Sequence, residues 1–475
     1  MQPRHPLVPP PVPGVALVIV GGGAAGCLAA LAVVRQTGGR VRPVVVDPAA
    51  QPGEGVAYGL GCDRHHLLNV PAGGMSLTSA QPEDFLAWAR AHGARLGWPE
   101  AAEAVAGDYL PRRLYGAYVR QRVQEALAAG AICHRRTVAT ALRRCGGLWR
   151  VSLGDGGELV APAVVLALGN QPPRMPVVDD PDGVLTGPLC RRDPWDPQAP
   201  PLPDGPVLLV GSGLSMVDWA LRLGGDSTRG APVHAVSRRG LLPHRRGTAR
   251  PAPALFTPDD AAAGLVTLMR RLKEACRAEG ADWRAVIDGL RPVTADLWAR
   301  LPTAERRRFL RHAETLWNVH RHRMPDASAD AIDLLRQAGL LSVHAGRIAA
   351  VRRLGDARAA VTLALRDGGE ATLAVAAIIN CTGADGHPAR MASPLVRQCL
   401  ADGLLAADAC GLGFAAEADG TLHDGGGQPQ AGLFGLGVML RGTLYECTAV
   451  PDLRAQAETL AERLAPALTT LEALP

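Results

Sequence analysis

The sequence predicts an α/β protein with two dinucleotide-binding, Rossmann-like domains that have parallel sheets, β-hairpin layers and a helical insertion. The first observation is that a strand, a glycine turn and a helix occur twice, in VALVIVGGGAAGCLAA and in VLLVGSGLSMVDWA. The second is that the same order of alternating strands follows each copy. A glycine turn between a strand and a helix is typical of nucleotide phosphate binding. We therefore expect two nucleotide sites in one chain.

Composition and charge limit the class of protein. The chain has 475 residues, of which 47% are hydrophobic, and this length suffices for two or three globular domains. Its net charge of +5 is carried almost wholly by arginine, and acids are interspersed with the basic residues except around residues 306–323, where basic residues predominate. We interpret this pattern as tolerance of anions and predict no nucleic-acid binding. The 10 cysteines form no CxxC pair and no Cys/His cluster, so we predict no redox dithiol, no metal site and a cytoplasmic location.

The uncharged residues 11–34 allow a second interpretation of the N-terminus. Such a run could be a signal peptide or a membrane span. Three glycines interrupt it at the spacing of a phosphate turn, however, between a predicted strand, Val15–Val20, and a predicted helix, Ala24–Val34. We therefore expect no membrane span and interpret residues 1–14 as a disordered leader.

The first glycine turn predicts a dinucleotide site. Gly21, Gly23 and Gly26 form GxGxxG after a buried strand, and Asp47 ends the next strand about twenty residues on, as the fingerprint requires. The three glycines allow a tight turn, a close approach to pyrophosphate and close packing of the helix. The helix N-terminus would bind phosphates, and Asp47 would accept hydrogen bonds from ribose hydroxyls. The alternative is a glycine-rich turn that binds nothing.

The second glycine turn predicts a different coenzyme. Gly211 and Gly213 keep the first two glycines, whereas a methionine replaces the third. The next strand ends in Ser237, Arg238 and Arg239, where the first copy has an acid. An acid would repel a 2′-phosphate and a guanidinium would bind one, so this site should prefer NADP(H) over NAD(H). The alternative is that both arginines are solvated surface charges.

The two copies extend beyond their turns, which indicates an internal duplication. Each copy continues with a predicted hairpin and a buried strand that ends at Gly169 in the first and at Gly383 in the second. The predicted boundaries are 1–14 for the leader, 15–180 and 380–475 for the first domain, 200–257 and 338–379 for the second, and 258–337 for the helical insertion.

The chain resembles the FAD/NAD(P)-binding proteins with the NAD_binding_9 type of domain, which are related to flavin-dependent N-hydroxylating monooxygenases such as aspartate N-monooxygenase. The segments that carry the resemblance are GGGAAG, GVAYG, HLLNVPAGGMS, DPW, GSGLSMVD, RHAETLWNVHRHRMP, NCTG and LRGTLYECTAVPDLRAQA. The resemblance implies that FAD binds the first domain and NADPH the second. It places Val138 on the adenine side and the loop with Asn69 beside the isoalloxazine, so that Asn69 is a candidate catalytic residue.

The cofactor-binding residues follow from the two motifs and from the resemblance. They are Gly21, Gly23, Ala25, Gly26, Asp47, Asn69, Met75, Val138, Gly169, Gly211, Ser212, Gly213, Ser237, Arg238, Arg239, Thr382 and Gly383.

Two departures from related flavoproteins bear on function. The pattern F-x-G-x-x-x-H-x-x-x-W of flavin monooxygenases survives only as Leu185, Gly187, Arg191 and Trp195, so Trp195 is a hinge candidate or a core residue. Reductases of this fold end in a Gly-Asp that holds the ribityl chain, and GLFGLGVMLRG has no acid there. The second departure weakens the resemblance to reductases.

The resemblance implies a flavin-dependent NADPH oxidoreductase. NADPH would reduce the flavin, and a C4a-hydroperoxyflavin formed with molecular oxygen would N-hydroxylate a small amine or amino acid, with aspartate as one candidate. The missing dithiol favours oxygen as the acceptor. Two alternatives stay open, namely an NADPH-dependent flavoprotein reductase with another acceptor and a non-catalytic redox-sensing protein that only binds nucleotides.

Arg441 is the candidate substrate anchor and a second candidate catalytic residue. It lies in GVMLRGTLYE between a glycine-containing strand and a helix, where a buried cation beside the flavin would need an anion. A substrate carboxylate would suit its guanidinium, which makes a carboxylated amine the expected substrate. The alternatives are a salt bridge with Glu446 and a contact with the FAD pyrophosphate.

The basic segment 305–323 has two interpretations. The positions of Phe309, Ala313, Leu316 and Val319 predict an amphipathic surface helix. In the other interpretation Arg321, His322 and Arg323 face the cleft between domains, where the two arginines are candidate substrate contacts. We expect no metal at the histidines of this segment.

Overall fold

The structure is a computed structural model that describes residues 15–225 and 230–472, so the predicted leader lies outside the described residues. Within these ranges no helix is long and apolar enough to cross a membrane. The strands are β1 Leu17–Val20, β2 Val44–Val46, β3 Cys133–Arg135, β4 Ala139–Cys145, β5 Leu148–Leu153, β6 Glu158–Ala161, β7 Ala163–Leu166, β8 Cys190–Arg191, β9 Val207–Val210, β10 Val233–Ser237, β11 Leu341–Leu354, β12 Arg358–Leu365, β13 Glu370–Val375, β14 Ala377–Asn380, β15 Thr421–His423 and β16 Pro429–Gly435. The α-helices are α1 Ala24–Gln36, α2 Gly55–Tyr58, α3 Asp84–His92, α4 Arg112–Ala128, α5 Leu214–Gly224, α6 Gly264–Arg277, α7 Trp283–Gly289, α8 Thr294–Arg300, α9 Thr303–His312, α10 Glu314–Arg321, α11 Asp326–Gln337, α12 Pro394–Ala401, α13 Arg441–Leu444 and α14 Val450–Glu472.

Two sheets form the frame of the molecule. The first has the order β15-β16-β7-β1-β2-β3, in which all neighbours except β15 and β16 are parallel. The second has the order β13-β12-β11-β10-β9-β14-β8, with parallel pairing from β11 to β8. Both central strands, β1 and β9, are fully apolar and buried, as strands covered on both faces must be. The predicted fold class is confirmed.

The predicted duplication is visible in strand order. The run β7-β1-β2-β3 in the first sheet matches β14-β9-β10-β11 in the second. The copies differ in their hairpin layers. In the first, β4, β5 and β6 form a separate sheet. In the second, the 14-residue strand β11 pairs in parallel with β10 and then continues into antiparallel pairing with β12.

The helical insertion ends earlier than predicted. The helix α11 packs against α5, and its Ala329 and Ile332 share a core with Val207 and Met216 of the second domain. It therefore connects the parallel strands β10 and β11 as a crossover helix, which a parallel pair requires. The insertion proper comprises α6 to α10, with its own apolar core.

The basic segment forms two helices, α9 and α10, that meet at Ala313. The predicted apolar face is wrong at Leu316, which is 41% exposed, because the segment is not one helix but two that are interrupted at Ala313. Phe309 and Trp317 are buried in the core of the insertion, and the partly buried Leu310 and Ala313 pack against it.

Candidate nucleotide and substrate sites

The first glycine turn has the geometry of a phosphate cradle. Gly21 has φ +107°, and a Cβ there would lie 2.2 Å from the Ala167 carbonyl oxygen. A Cβ on Gly26 would lie 1.9 Å from the Gly21 carbonyl oxygen, so helix α1 crosses β1 too closely for any side chain. At Gly23 the nearest atom would be 3.5 Å away. The N-terminus of α1 is thus open to a pyrophosphate, and the turn fits FAD.

Asp47 lies beside this turn, as the motif predicts. Its Oδ2 accepts a hydrogen bond of 2.6 Å from the Gly22 N–H, and its Oδ1 accepts one of 2.8 Å from the Ala49 N–H. A carboxylate has about four lone-pair sites, so acceptor capacity remains for ribose hydroxyls. The neighbouring Cys27 thiol donates to the Gly22 carbonyl, and burial raises its pKa well above the ordinary value. Cys27 is therefore a packing residue.

The loop that contains Asn69 is fixed against two helices. The Leu68 N–H donates to the carbonyl of Leu110, just before α4, and Arg454 of α14 donates to the Ser76 carbonyl at 2.8 Å. Asn69 itself is exposed, whereas Met75 is buried in the core. The loop can present the Asn69 side chain to a cofactor, and contact with Met75 would have to involve its backbone.

Val138 and Gly169 lie at the ends of first-domain strands. Val138 is exposed just before β4, and its carbonyl accepts the Gly154 N–H at 2.8 Å. Gly169 follows β7 with φ +67° and open space around its Cα. Gly169 thus has space for a ligand next to its backbone, and Val138 exposes its side chain.

The second glycine turn repeats the geometry of the first. Gly211 has φ +113°, and a Cβ there would lie 2.4 Å from the Cys381 carbonyl oxygen. Gly213 has φ −83°, with no atom within 4 Å of a Cβ position. The Ser212 hydroxyl lies 2.7 Å from the Ser237 hydroxyl and thus ties the turn to the end of β10. This turn likewise fits a dinucleotide phosphate.

The two arginines after β10 differ in their surroundings. Arg238 is exposed, whereas Arg239 donates to the His312 carbonyl at 3.1 Å. Of the two, Arg238 is the more available to a 2′-phosphate. Thr382 and Gly383 follow β14 at the same edge of the sheet, and the Thr382 hydroxyl lies 2.7 Å from Asn380 Oδ1.

The three candidate substrate arginines all have carboxylate partners. Arg441 Nη2 lies 2.8 Å from Glu314 Oε1, so the predicted alternative pairing with Glu446 is wrong. Glu446 instead pairs with Arg321 at 2.9 Å. Tyr445, which lies between Arg441 and Glu446 in sequence, has φ +59°.

Arg323 is paired most deeply. Its side chain is fully buried and forms a salt bridge with Asp288, which also lies 3.5 Å from Arg246 Nη2. Sequence reasoning missed Glu314 and Asp288 as partners. The available signal for Glu314 was that it is an acid within an otherwise basic run. In the described ranges no group of three His, Cys, Asp or Glu side chains could hold a metal ion.

Comparisons with known proteins agree with this geometry. Residues 18–171 match the NAD_binding_9 family, described as FAD-NAD(P)-binding, which confirms the resemblance over the first domain. A search of curated proteins found no significant match.

Solved structures similar to this chain span nearly its whole length. The reduced form of ornithine hydroxylase from Pseudomonas aeruginosa has a TM-score of 0.62 and 15% identity, over 96% of this chain and 100% of that one. Ornithine N-hydroxylase from Kutzneria sp. 744 has a TM-score of 0.63 and 16% identity, over 96% and 100%. FAD-bound cadaverine monooxygenase from Erwinia amylovora has a TM-score of 0.64 and 14% identity, over 95% and 94%. At these identities the similarity establishes the fold.

Proposed function

We propose that this protein is an FAD-dependent, NADPH-using monooxygenase that N-hydroxylates a small amine or amino acid. The observation that carries the proposal is the pair of open glycine turns, one beside Asp47 and one beside Arg238, in a chain that is similar over nearly its full length to hydroxylases and a monooxygenase of amines. We also propose that the protein is located in the cytoplasm.

The chain supplies binding and orientation. Backbone N–H groups near Gly23 and Gly213 bind the two pyrophosphates, Asp47 binds ribose, Arg238 binds the 2′-phosphate, and Asn69 contacts the flavin edge. Bound FAD would supply the redox chemistry, namely two-electron reduction by NADPH and activation of molecular oxygen. In the balanced reaction an amine, O₂, NADPH and a proton give the hydroxylamine, water and NADP⁺.

Arg441 is the proposed anchor for a substrate carboxylate. Its guanidinium is partly accessible, with 28% of the side chain exposed, and its partner Glu314 is also half-buried. A substrate carboxylate can therefore approach Arg441 without disrupting a fully buried ion pair. Arg321 and Arg323 are more deeply buried and already paired, so we propose that they position the end of α10 near the substrate. Aspartate is one candidate substrate.

The test is anaerobic reduction of the FAD-loaded protein with NADPH, followed by aeration with aspartate, ornithine, lysine, cadaverine or phenylalanine in turn. We expect one amine to gain one oxygen atom, detected by mass, in proportion to the NADPH consumed. Release of hydrogen peroxide with every amine would favour the reductase alternative. Failure of NADPH to reduce the flavin would favour the nucleotide-binding sensor.

The substrate anchor is tested by Arg441→Lys. We expect a higher KM for a carboxylated amine, because lysine lacks the bidentate fork, and no change in flavin reduction by NADPH. An unchanged KM would show that Arg441 is structural.

A further inference from the structure

The helical insertion contains an apolar cavity of about 560 Å³, a volume that includes its solvent-filled mouth. Helices α6, α8, α9 and α10 form its walls together with Tyr445, and the walls include Leu268, Met269, Trp298, Phe309, Trp317 and Tyr445. The indole N–H of Trp298 donates to the Gly442 carbonyl, and that of Trp317 donates to the Glu446 carboxylate. The cavity therefore offers mainly carbon surface, which favours an apolar or aromatic group.

Tyr445 connects this cavity to the FAD-binding domain. Among the described residues it is the only non-glycine residue with a positive φ, a conformation that persists where the surroundings require it. Its ring stacks on Trp298 with centroids 4.5 Å apart and meets Phe309 edge-on at 5.5 Å. The strained residue thus places its aromatic ring in the core of the insertion.

Two opposite charges lie next to this wall. The Arg441 guanidinium carbon is 5.7 Å from the centre of the Tyr445 ring, and Arg441 pairs with Glu314. Their side chains are 28% and 26% exposed, whereas those of Arg321 and Glu446 are 11% and 10% exposed. Of the two ion pairs beside the cavity, Arg441–Glu314 is thus more accessible to solvent than Arg321–Glu446. Its positive and negative groups are complementary to the carboxylate and the ammonium group of a zwitterion.

We propose that the cavity binds the apolar side chain of an α-amino acid, whose carboxylate lies at Arg441 and whose ammonium group lies at Glu314. The proposal deepens the proposed function, because it makes an apolar amino acid, such as leucine or phenylalanine, the substrate class. Aspartate would place a second carboxylate against carbon surface, where it would lose hydration without gaining a partner. Aspartate should therefore bind more weakly than phenylalanine.

Binding is measured on the FAD-loaded protein by saturation-transfer NMR with L-phenylalanine, L-leucine and L-aspartate, without NADPH. Indole serves as a competitor, since it fits the carbon surface but carries no zwitterion. We expect transfer to the side-chain protons of phenylalanine and leucine, and loss of that transfer when indole is added. Transfer to aspartate alone, or transfer to phenylalanine that indole leaves unchanged, would overturn the proposal.

A matched pair of variants on α6 locates the site. Met269 is half-buried at the cavity wall, so Met269→Trp fills part of the space, whereas Val266 is 57% exposed on the same helix and Val266→Trp adds the same group outside. We expect phenylalanine binding to weaken about tenfold or more in Met269→Trp, since a phenyl-sized apolar group is no longer buried. Val266→Trp should bind as the native protein does. Equal binding by both variants would overturn the proposal.

Two further results separate this proposal from the proposed function. If phenylalanine binds as expected but no amine is N-hydroxylated, the cavity assignment stands and the proposed reaction fails. If aspartate is N-hydroxylated and indole does not inhibit, the reaction stands and the cavity proposal fails. Should Met269→Trp not fold, the indole competition on native protein still decides the matter.

Discussion

At the scale of single residues, Asp47 has a structural and a binding role at once. It accepts the Gly22 N–H and so holds the glycine turn, and it is placed to accept ribose hydroxyls. We expect Asp47→Ala to purify with much less FAD, measured as the ratio of flavin to protein absorbance. Asp367→Ala is the control, because Asp367 also accepts a turn N–H, from Gly369, but in the hairpin of the second domain. Full flavin content in Asp47→Ala would contradict the assignment.

The arginines after β10 should decide the coenzyme. In the double variant Arg238→Ala/Arg239→Ala we expect the KM for NADPH to rise about tenfold or more, since a charge-assisted hydrogen bond contributes roughly 1.5–3 kcal/mol. The KM for NADH should stay nearly constant, because only the 2′-phosphate contact is lost. Arg347→Ala, an exposed arginine on β11, is the control. Equal losses with both coenzymes would mean that these arginines do not recognise the phosphate.

At the scale of elements, the β9–α5 turn contains one glycine that the fold requires and one that nucleotide binding should require. Gly211→Ala would place a Cβ 2.4 Å from a carbonyl oxygen at φ +113°, so we expect a marked loss of stability in thermal unfolding. Gly213→Ala meets no atom and needs no unusual φ, so the fold should stay close to native. That methyl group would occupy space expected for the pyrophosphate, so NADPH binding should weaken. Unchanged NADPH binding in Gly213→Ala would argue against a phosphate there.

The elements that the sequence predicts best are those with local causes. Each glycine turn is predictable because Gly21 and Gly211 need positive φ and close backbone approach within one strand-turn-helix unit. The break at Ala313 and the assignment of α11 to the second domain depend on tertiary packing, which periodicity does not contain. The cavity beside Tyr445 has the same origin, because Tyr445 lies far along the chain from the successive helices that form its other walls.

At the scale of the whole molecule, a buried ion pair joins the two nucleotide-binding domains. Arg112, at the start of α4, donates through Nε to the Leu67 carbonyl at 3.0 Å, and its Nη2 lies 3.0 Å from Asp218 Oδ2 on α5. The Arg112 side chain is 17% exposed and that of Asp218 is 8% exposed. Since Leu67 precedes the loop with Asn69, this arginine links the predicted flavin-facing loop to the predicted NADPH-binding domain.

The ion pair should matter more for the placement of the domains than for stability as such. Asp218→Leu alone leaves a buried unpaired guanidinium, so we expect a loss of about 3–5 kcal/mol in unfolding free energy. The double variant Arg112→Met/Asp218→Leu removes both charges and should recover most of that loss, because a well-packed apolar pair can replace a buried salt bridge. If the pair also aligns the domains, the double variant should still reduce its flavin more slowly with NADPH in stopped-flow measurements. A native reduction rate in the double variant would show that packing alone aligns the two domains.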